Sequence, residues 1–125
     1  MVSVPKKVKA IRWHELNDLR LDTIDVPKLK DDEVLVKNMY SGICATDRHA
    51  WHEGVFIDKK GINYPAILGH EGSSEVLELG KNVETDAIGQ PLKVGDMVCY
   101  QDILGCGKCV FCLRGAVNVC TNMVV

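Results

Sequence analysis

Apolar and polar residues alternate with a period of two along several short stretches of this chain, the pattern of strands with one covered face. "VKAIRW" (8–13) and "LRLDTIDV" (19–26) flank a polar turn at Asn17-Asp18 and predict a hairpin. "EVLVKNMY" (33–40) is rich in strand formers and follows the breaker segment "PKLKDD". "SEVLELG" (74–80) alternates and stops on Gly80, and "GDMVCY" (95–100) starts from a Gly-Asp turn. Between them, "ATDRHAWHE" (45–53) has the composition of a helix capped by Thr46 or Asp47. "VETDAIGQPLKVGD" (83–96) reads as a loop turning at Gly89-Gln90-Pro91. Short strands at this spacing predict a mainly β fold with short helices, a sandwich or barrel. No strand runs into a Gly-rich turn and a helix, so the dinucleotide-binding fingerprint is absent.

Composition narrows the picture. A chain of 125 residues, 46% hydrophobic and 26% charged, is long enough for one globular domain with a modest core. The net charge is −2 with no block of one sign. Lys6, Lys7 and Lys9 form only a small basic edge, expected to be solvated, so no nucleic-acid partner is expected. No apolar run approaches the roughly 18 residues of a membrane span. The start, "MVSVPKKVKA", has no apolar stretch after its charges, so neither a membrane nor a signal peptide is expected. The default is the cytoplasm, where clustered thiols suggest metal rather than disulfides.

Cys106-x2-Cys109-x2-Cys112-x7-Cys120 puts four potential thiolates on one short loop. Zinc favours four soft ligands in a tetrahedron, and ligands two residues apart can wrap one ion. Gly105, Gly107 and Gly115 ease the tight turns such a loop needs. Lys108 and Arg114 would offset part of the cluster's negative charge. Structural zinc is the favoured reading. An iron–sulfur cluster is an alternative, though its usual run has a shorter last gap and a following proline where this chain has Thr121. Disulfides are the other alternative. Cys99, outside the loop, is expected to be a small buried hydrophobe. A second set of metal-ligand types is split between "SGICATDRH" (41–49) and "LGHEGSSEVLELG" (68–80): Cys44, His70 and Glu71. From residue types alone they read more readily as a core thiol beside a strand and a polar turn than as a metal site.

These segments, in this order, resemble the zinc-dependent medium-chain alcohol dehydrogenase family. "GICATDRH" is similar to its Gly-x-Cys-x-Ser/Thr-Asp-x-His stretch, "GHEG" to its Gly-His-Glu zinc signature, and "VGDMV" to the strand that follows. "GCGKCVFCLRGAVNVC" matches its structural-zinc lobe at all four cysteines, Gly107, Gly115 and Asn118. "IRWHELNDLRLDTIDVP" looks somewhat like the butanediol and polyol branch.

The resemblance implies a GroES-like partial β-barrel over residues 7–125, after a tail at 1–6, carrying a four-cysteine zinc lobe at 105–120 and lacking the nucleotide-binding Rossmann domain. It implies a structural zinc on Cys106, Cys109, Cys112 and Cys120, and a catalytic zinc on Cys44 and His70 with Glu71 beside or within its shell. Asp47 matches the carboxylate that holds the ligand histidine's other nitrogen. Thr46 and His49 match the relay that carries the alcohol's proton to solvent while hydride leaves for NAD(P). Ser74 departs from the family's usual glycine and would be strained if that position needs positive φ. The family's polypeptides are much longer, with a third catalytic-zinc ligand and the NAD(P) site downstream of the lobe. The end at "TNMVV" reads as a truncation, so the chain alone is expected to transfer no hydride. A small-molecule alcohol is the implied substrate of the longer form. A homo-oligomer or a complementary nucleotide-binding chain is the implied partner. The alternatives are a stand-alone zinc-binding module and one half of a split dehydrogenase.

Overall fold

The computed structural model describes residues 4–54 and 63–123. The alternating stretches at the start form a two-stranded sheet. β1 (Lys7–Glu15) runs antiparallel to β2 (Asp18–Asp25), with Ile11 opposite Leu21 and Trp13 opposite Leu19. Asp18 already opens β2, so the turn falls on Leu16-Asn17, one residue before the expected pair. Asn17 takes φ +62°, a conformation asparagine tolerates better than most residues. The tail expected at 1–6 is described from residue 4, and the Lys6 carbonyl extends the hairpin by accepting from Val26 N–H at 3.0 Å. Residues 1–3, 124 and 125 lie outside the described residues.

β3 (Val34–Ser41), β4 (Gly72–Leu79) and β5 (Met97–Cys99) form a second, antiparallel sheet in the order β3-β4-β5. Each expected strand falls on an observed one, with its ends within two residues. β4 is central and bears the fully buried Ser74 and Val76. The loop after β4 turns at Ala87–Gly89, earlier than expected, because the Asp86 side chain accepts from Ile88 N–H (3.0 Å) and Gln90 N–H (2.8 Å).

Helix α1 (Ala45–Glu53) spans the expected residues, but its cap is Cys44 rather than Thr46 or Asp47. Asp47 is its third residue and reaches back to Cys44 N–H at 2.9 Å, while Cys44 Sγ accepts from Thr46 N–H at 3.5 Å. This is the reciprocal capping arrangement with sulfur in the usual hydroxyl's place. A four-residue helix α2 (Val110–Leu113) and a 3-10 turn (Val117–Val119) make up the cysteine lobe. Among the described residues no helix is long and apolar enough to cross a membrane.

The core is slender. Among the described residues, the buried hydrophobic ones are Trp13, Ala50, Val76 and Cys120. The chain exposes 9453 Å², whereas a compact protein of this mass exposes about 6,600 Å². Part of the excess is a groove of about 660 Å³ on the second sheet, lined by Val34, Val36, Leu92 and Val98 with Asp32 and Glu84. One expectation is corrected here, and the condition set for Ser74 is not met. Cys99 is exposed, not buried: it ends β5, the last strand of its sheet among the described residues. Ser74 is not strained: it is ordinary strand, outside the positive-φ residues, and its hydroxyl donates to Asn38 Oδ1 at 3.2 Å.

Candidate metal centres

The β3–β4 register builds the first centre. Ser41 lies opposite Gly72, so the residues just past each strand end meet. Gly42 N–H donates to the Glu71 carbonyl at 2.8 Å, and a side chain at Gly42 would collide with the Glu71 carboxylate. Two residues beyond Gly42, Cys44 turns the chain into α1. One residue before Glu71 stands His70. One ligand atom each from Cys44, His70 and Glu71 thereby comes within 4.8 Å of the others.

Cys44 and His70 are half-buried and Glu71 is exposed. Hydrogen bonds from the Thr46 hydroxyl and Thr46 N–H, and then from His70, hold the Cys44 thiol below its ordinary pKa. The same contact with Cys44 raises His70, helped by the charges of Asp47, Cys44 and Glu71. Asp47 Oδ1 lies 3.5 Å from His70 Nδ1, while its other oxygen caps α1. His49 stays apart from this group. It is exposed, one turn further along α1, and its Nδ1 lies 2.8 Å from Glu53 Oε1. That partner was missed in the sequence, although a Glu four residues after a His is a readable helix pair.

The second centre is the lobe. Sγ atoms of Cys106, Cys109, Cys112 and Cys120 all lie within 4.8 Å of one another. Cys109 and Cys120 sulfurs are 3.8 Å apart. A tetrahedron with zinc–sulfur bonds of about 2.3 Å has sulfurs about 3.8 Å apart, whereas a disulfide needs about 2.05 Å. All six cysteines are free, so the disulfide alternative finds no support. Left-handed φ at Gly107 (+72°) and Gly115 (+78°) lets the loop curl round the sulfurs.

Main-chain N–H groups point at these sulfurs. Cys120 Sγ accepts from Cys106 and Asn122, each at 3.3 Å, and Cys109 Sγ accepts from Cys112 at 3.5 Å. Bonds from Cys112 N–H and Thr121 N–H lower Cys109 to about 5. Cys106 is lowered by the N–H groups of Lys108 and Cys109. Burial, with the neighbouring thiols, pushes Cys112 up to about 12. The backbone of Lys108 therefore contributes here, in addition to any offset from its exposed ammonium. Four soft donors at this spacing fit one tetrahedral zinc ion. The Cys, His and carboxylate set of the first centre fits a zinc with room for a further ligand.

Residues 30–125 match the alcohol dehydrogenase GroES-like domain. The chain belongs to that family. Its relatives include sorbitol dehydrogenase of Bacillus subtilis, 35% identical over 97% of this chain and 32% of that protein. The solved 2R,3R-butanediol dehydrogenase of the same species is 35% identical, with a TM-score of 0.75 over 92% of this chain and 32% of that one. An alcohol dehydrogenase of Escherichia coli CFT073, solved with NADH, is 29% identical with a TM-score of 0.77, over 97% of this chain and 32% of that one. The GroES-like chain thus spans about a third of the length of the relatives it matches.

Proposed function

We propose that this chain is the N-terminal portion of the catalytic domain of a zinc-dependent alcohol or polyol dehydrogenase, with residues 7–125 forming that incomplete domain. The observation that carries the reading is the pair of donor sets, one all-sulfur and one mixed, each gathered within 4.8 Å by a different part of the fold. Cys106, Cys109, Cys112 and Cys120 would hold a structural zinc. Cys44, His70 and Glu71 would hold a catalytic one. A zinc ion there supplies the Lewis acidity that lowers the pKa of an alcohol. The chain's own residues do the rest. Asp47 orients His70. The Thr46 hydroxyl, 3.5 Å from Cys44 Sγ, takes the alcohol's proton. His49, exposed on the same helix and steadied by Glu53, passes it to solvent. NAD(P) would be held by further chain, in keeping with the NADH of the E. coli relative and with the surface this domain leaves open. The cytoplasm is the proposed location.

His70→Ala in the native-length protein tests the assignment. The expected result is loss of one of two zinc ions and of alcohol-dependent NAD(P) reduction, with the lobe's ion retained. A variant that keeps both ions, or that unfolds, refutes it. The open surface would equally suit a separate nucleotide-binding chain. An immunoblot of source cells against this segment separates the two: a band near 13.8 kDa favours the split form, and a band about three times heavier, as the relatives' length implies, favours the single polypeptide.

A further inference from the structure

We propose that the β1–β2 hairpin is the clamp that sets the spacing between the two halves of the Cys44–His70–Glu71 centre, with Asn17 and His52 as positioning residues. The inference rests on reading that centre as a metal site. Its halves arrive on separate segments: Cys44 heads α1, while His70 and Glu71 end the stretch that leads into β4. Near the donors they are joined by the Gly42 to Glu71 bond and by the 3.5 Å contact of Asp47 Oδ1 with His70 Nδ1. That leaves the far end of α1 and the start of the His70 segment to be fixed by something else.

The hairpin holds both. At its turn, Asn17 N–H donates to the Trp51 carbonyl in the last turn of α1 at 3.0 Å. His52 Nδ1 lies 2.6 Å from Asn17 Oδ1, an acceptor 35 residues away in sequence. Along its edge, Trp13 and Ala66 exchange two backbone bonds of 2.7 and 3.0 Å, and Arg12 Nη2 donates to the Pro65 carbonyl at 3.2 Å. Arg12 is braced in turn by Asp22, whose Oδ2 lies 3.5 Å from Arg12 Nη1 and 2.7 Å from His14 Nε2. A nine-residue helix is a rigid lever about 13 Å long. Moving its last turn at Asn17 therefore moves Cys44 at its first, relative to a His70 segment held through Ala66. Metal sites tolerate displacements of only about 0.2 Å in ligand distance.

His52→Ala, His52→Asn and Asn17→Ala test this in the native protein, by cobalt and zinc titration against a chelator. Sulfur-to-cobalt absorption distinguishes the all-sulfur lobe from the mixed site. The expected result is about a tenfold loss of affinity at the Cys44–His70–Glu71 site in His52→Ala and Asn17→Ala, the low end of the range for residues that bond a ligand directly. The lobe's affinity should be unchanged. His52→Asn keeps an N–H where Nδ1 stood and should restore most of the loss. Equal weakening at both sites would mean a general structural defect and would overturn the clamp. So would unchanged affinity in all three variants. A wild-type protein that takes up the lobe's ion alone overturns the metal reading, and the clamp with it.

Discussion

Gly105→Ala is a sharp test of the lobe. An alanine methyl there would stand 2.9 Å from Cys112 Sγ and 3.2 Å from both Cβ and Cγ1 of Val117. Carbon contacts are favourable only from about 3.5 Å, so the neighbours must retreat by roughly 0.5 Å. Neither is free to do so. Cys112 Sγ belongs to the four-sulfur group, and Val117 opens the 3-10 turn that carries the chain to Cys120. The demanded shift exceeds the roughly 0.2 Å that zinc–ligand distances allow. Overpacking of this kind costs about 1–3 kcal/mol, or a roughly 5- to 150-fold weaker zinc site. Competition with a chromophoric chelator reads that directly. Gly89→Ala is the control: its φ is +82° but nothing lies within 4 Å of the added carbon. It should cost about 1 kcal/mol of stability through backbone strain and leave zinc affinity unchanged. Wild-type affinity in Gly105→Ala, or equal losses in the two variants, would refute the close-packed lobe.

Zinc uptake by the lobe should release three protons or fewer at pH 7, because Cys109, lowered to about 5, is already a thiolate there while Cys112, near 12, must lose its proton. Affinity should therefore rise with pH, and fall more steeply once pH drops through about 5 and a proton competes for Cys109. Calorimetry in buffers of different ionisation enthalpy counts the protons, and a release of four at pH 7 would contradict a Cys109 thiolate at that pH. Cys109→Ser should lower zinc content by one ion and make residues 105–120 sensitive to protease, an outcome absent if the lobe holds itself without metal. Trp13→Ala should lower unfolding free energy by about 3–5 kcal/mol, since the ring is fully buried and meets Tyr64 edge-on at 4.8 Å. A urea-denaturation loss below about 1 kcal/mol would show that the core lies elsewhere.

The strands were legible from alternation and turn residues, although the hairpin leaves Ile11, Leu19 and Leu21 exposed, and the helix was legible over its whole length. Its cap was not, since a cysteine seldom serves as one and Thr46 and Asp47 are the residues propensity favours. The lobe is local: its four cysteines lie within fifteen residues, so spacing alone reports on proximity. The Cys44–His70–Glu71 group is different. It depends on the β3–β4 register, with irregularities between Leu35 and Val36 and between Asn38 and Tyr40 that no periodicity announces. Resemblance supplied that pairing beforehand, and geometry gives its physical cause. Cys99 was misread because a three-residue strand looks the same at an edge as at a centre. The bond from His52 to Asn17 had no signal at all, as it joins a turn to a helix end across 35 residues.

The capping role of Cys44 bears on the order in which the site is assembled. Its sulfur faces the first turn of α1 because the helix uses it, receiving Thr46 N–H at 3.5 Å. The entropy of fixing that side chain is thus spent in forming the helix, and an arriving ion meets a donor already oriented. The partial positive charge of the helix start also favours the thiolate over the thiol. On the proposed reading of Cys44 as a ligand, formation of α1 also shapes the metal site, and a substitution that frays the helix start would weaken the ion's hold.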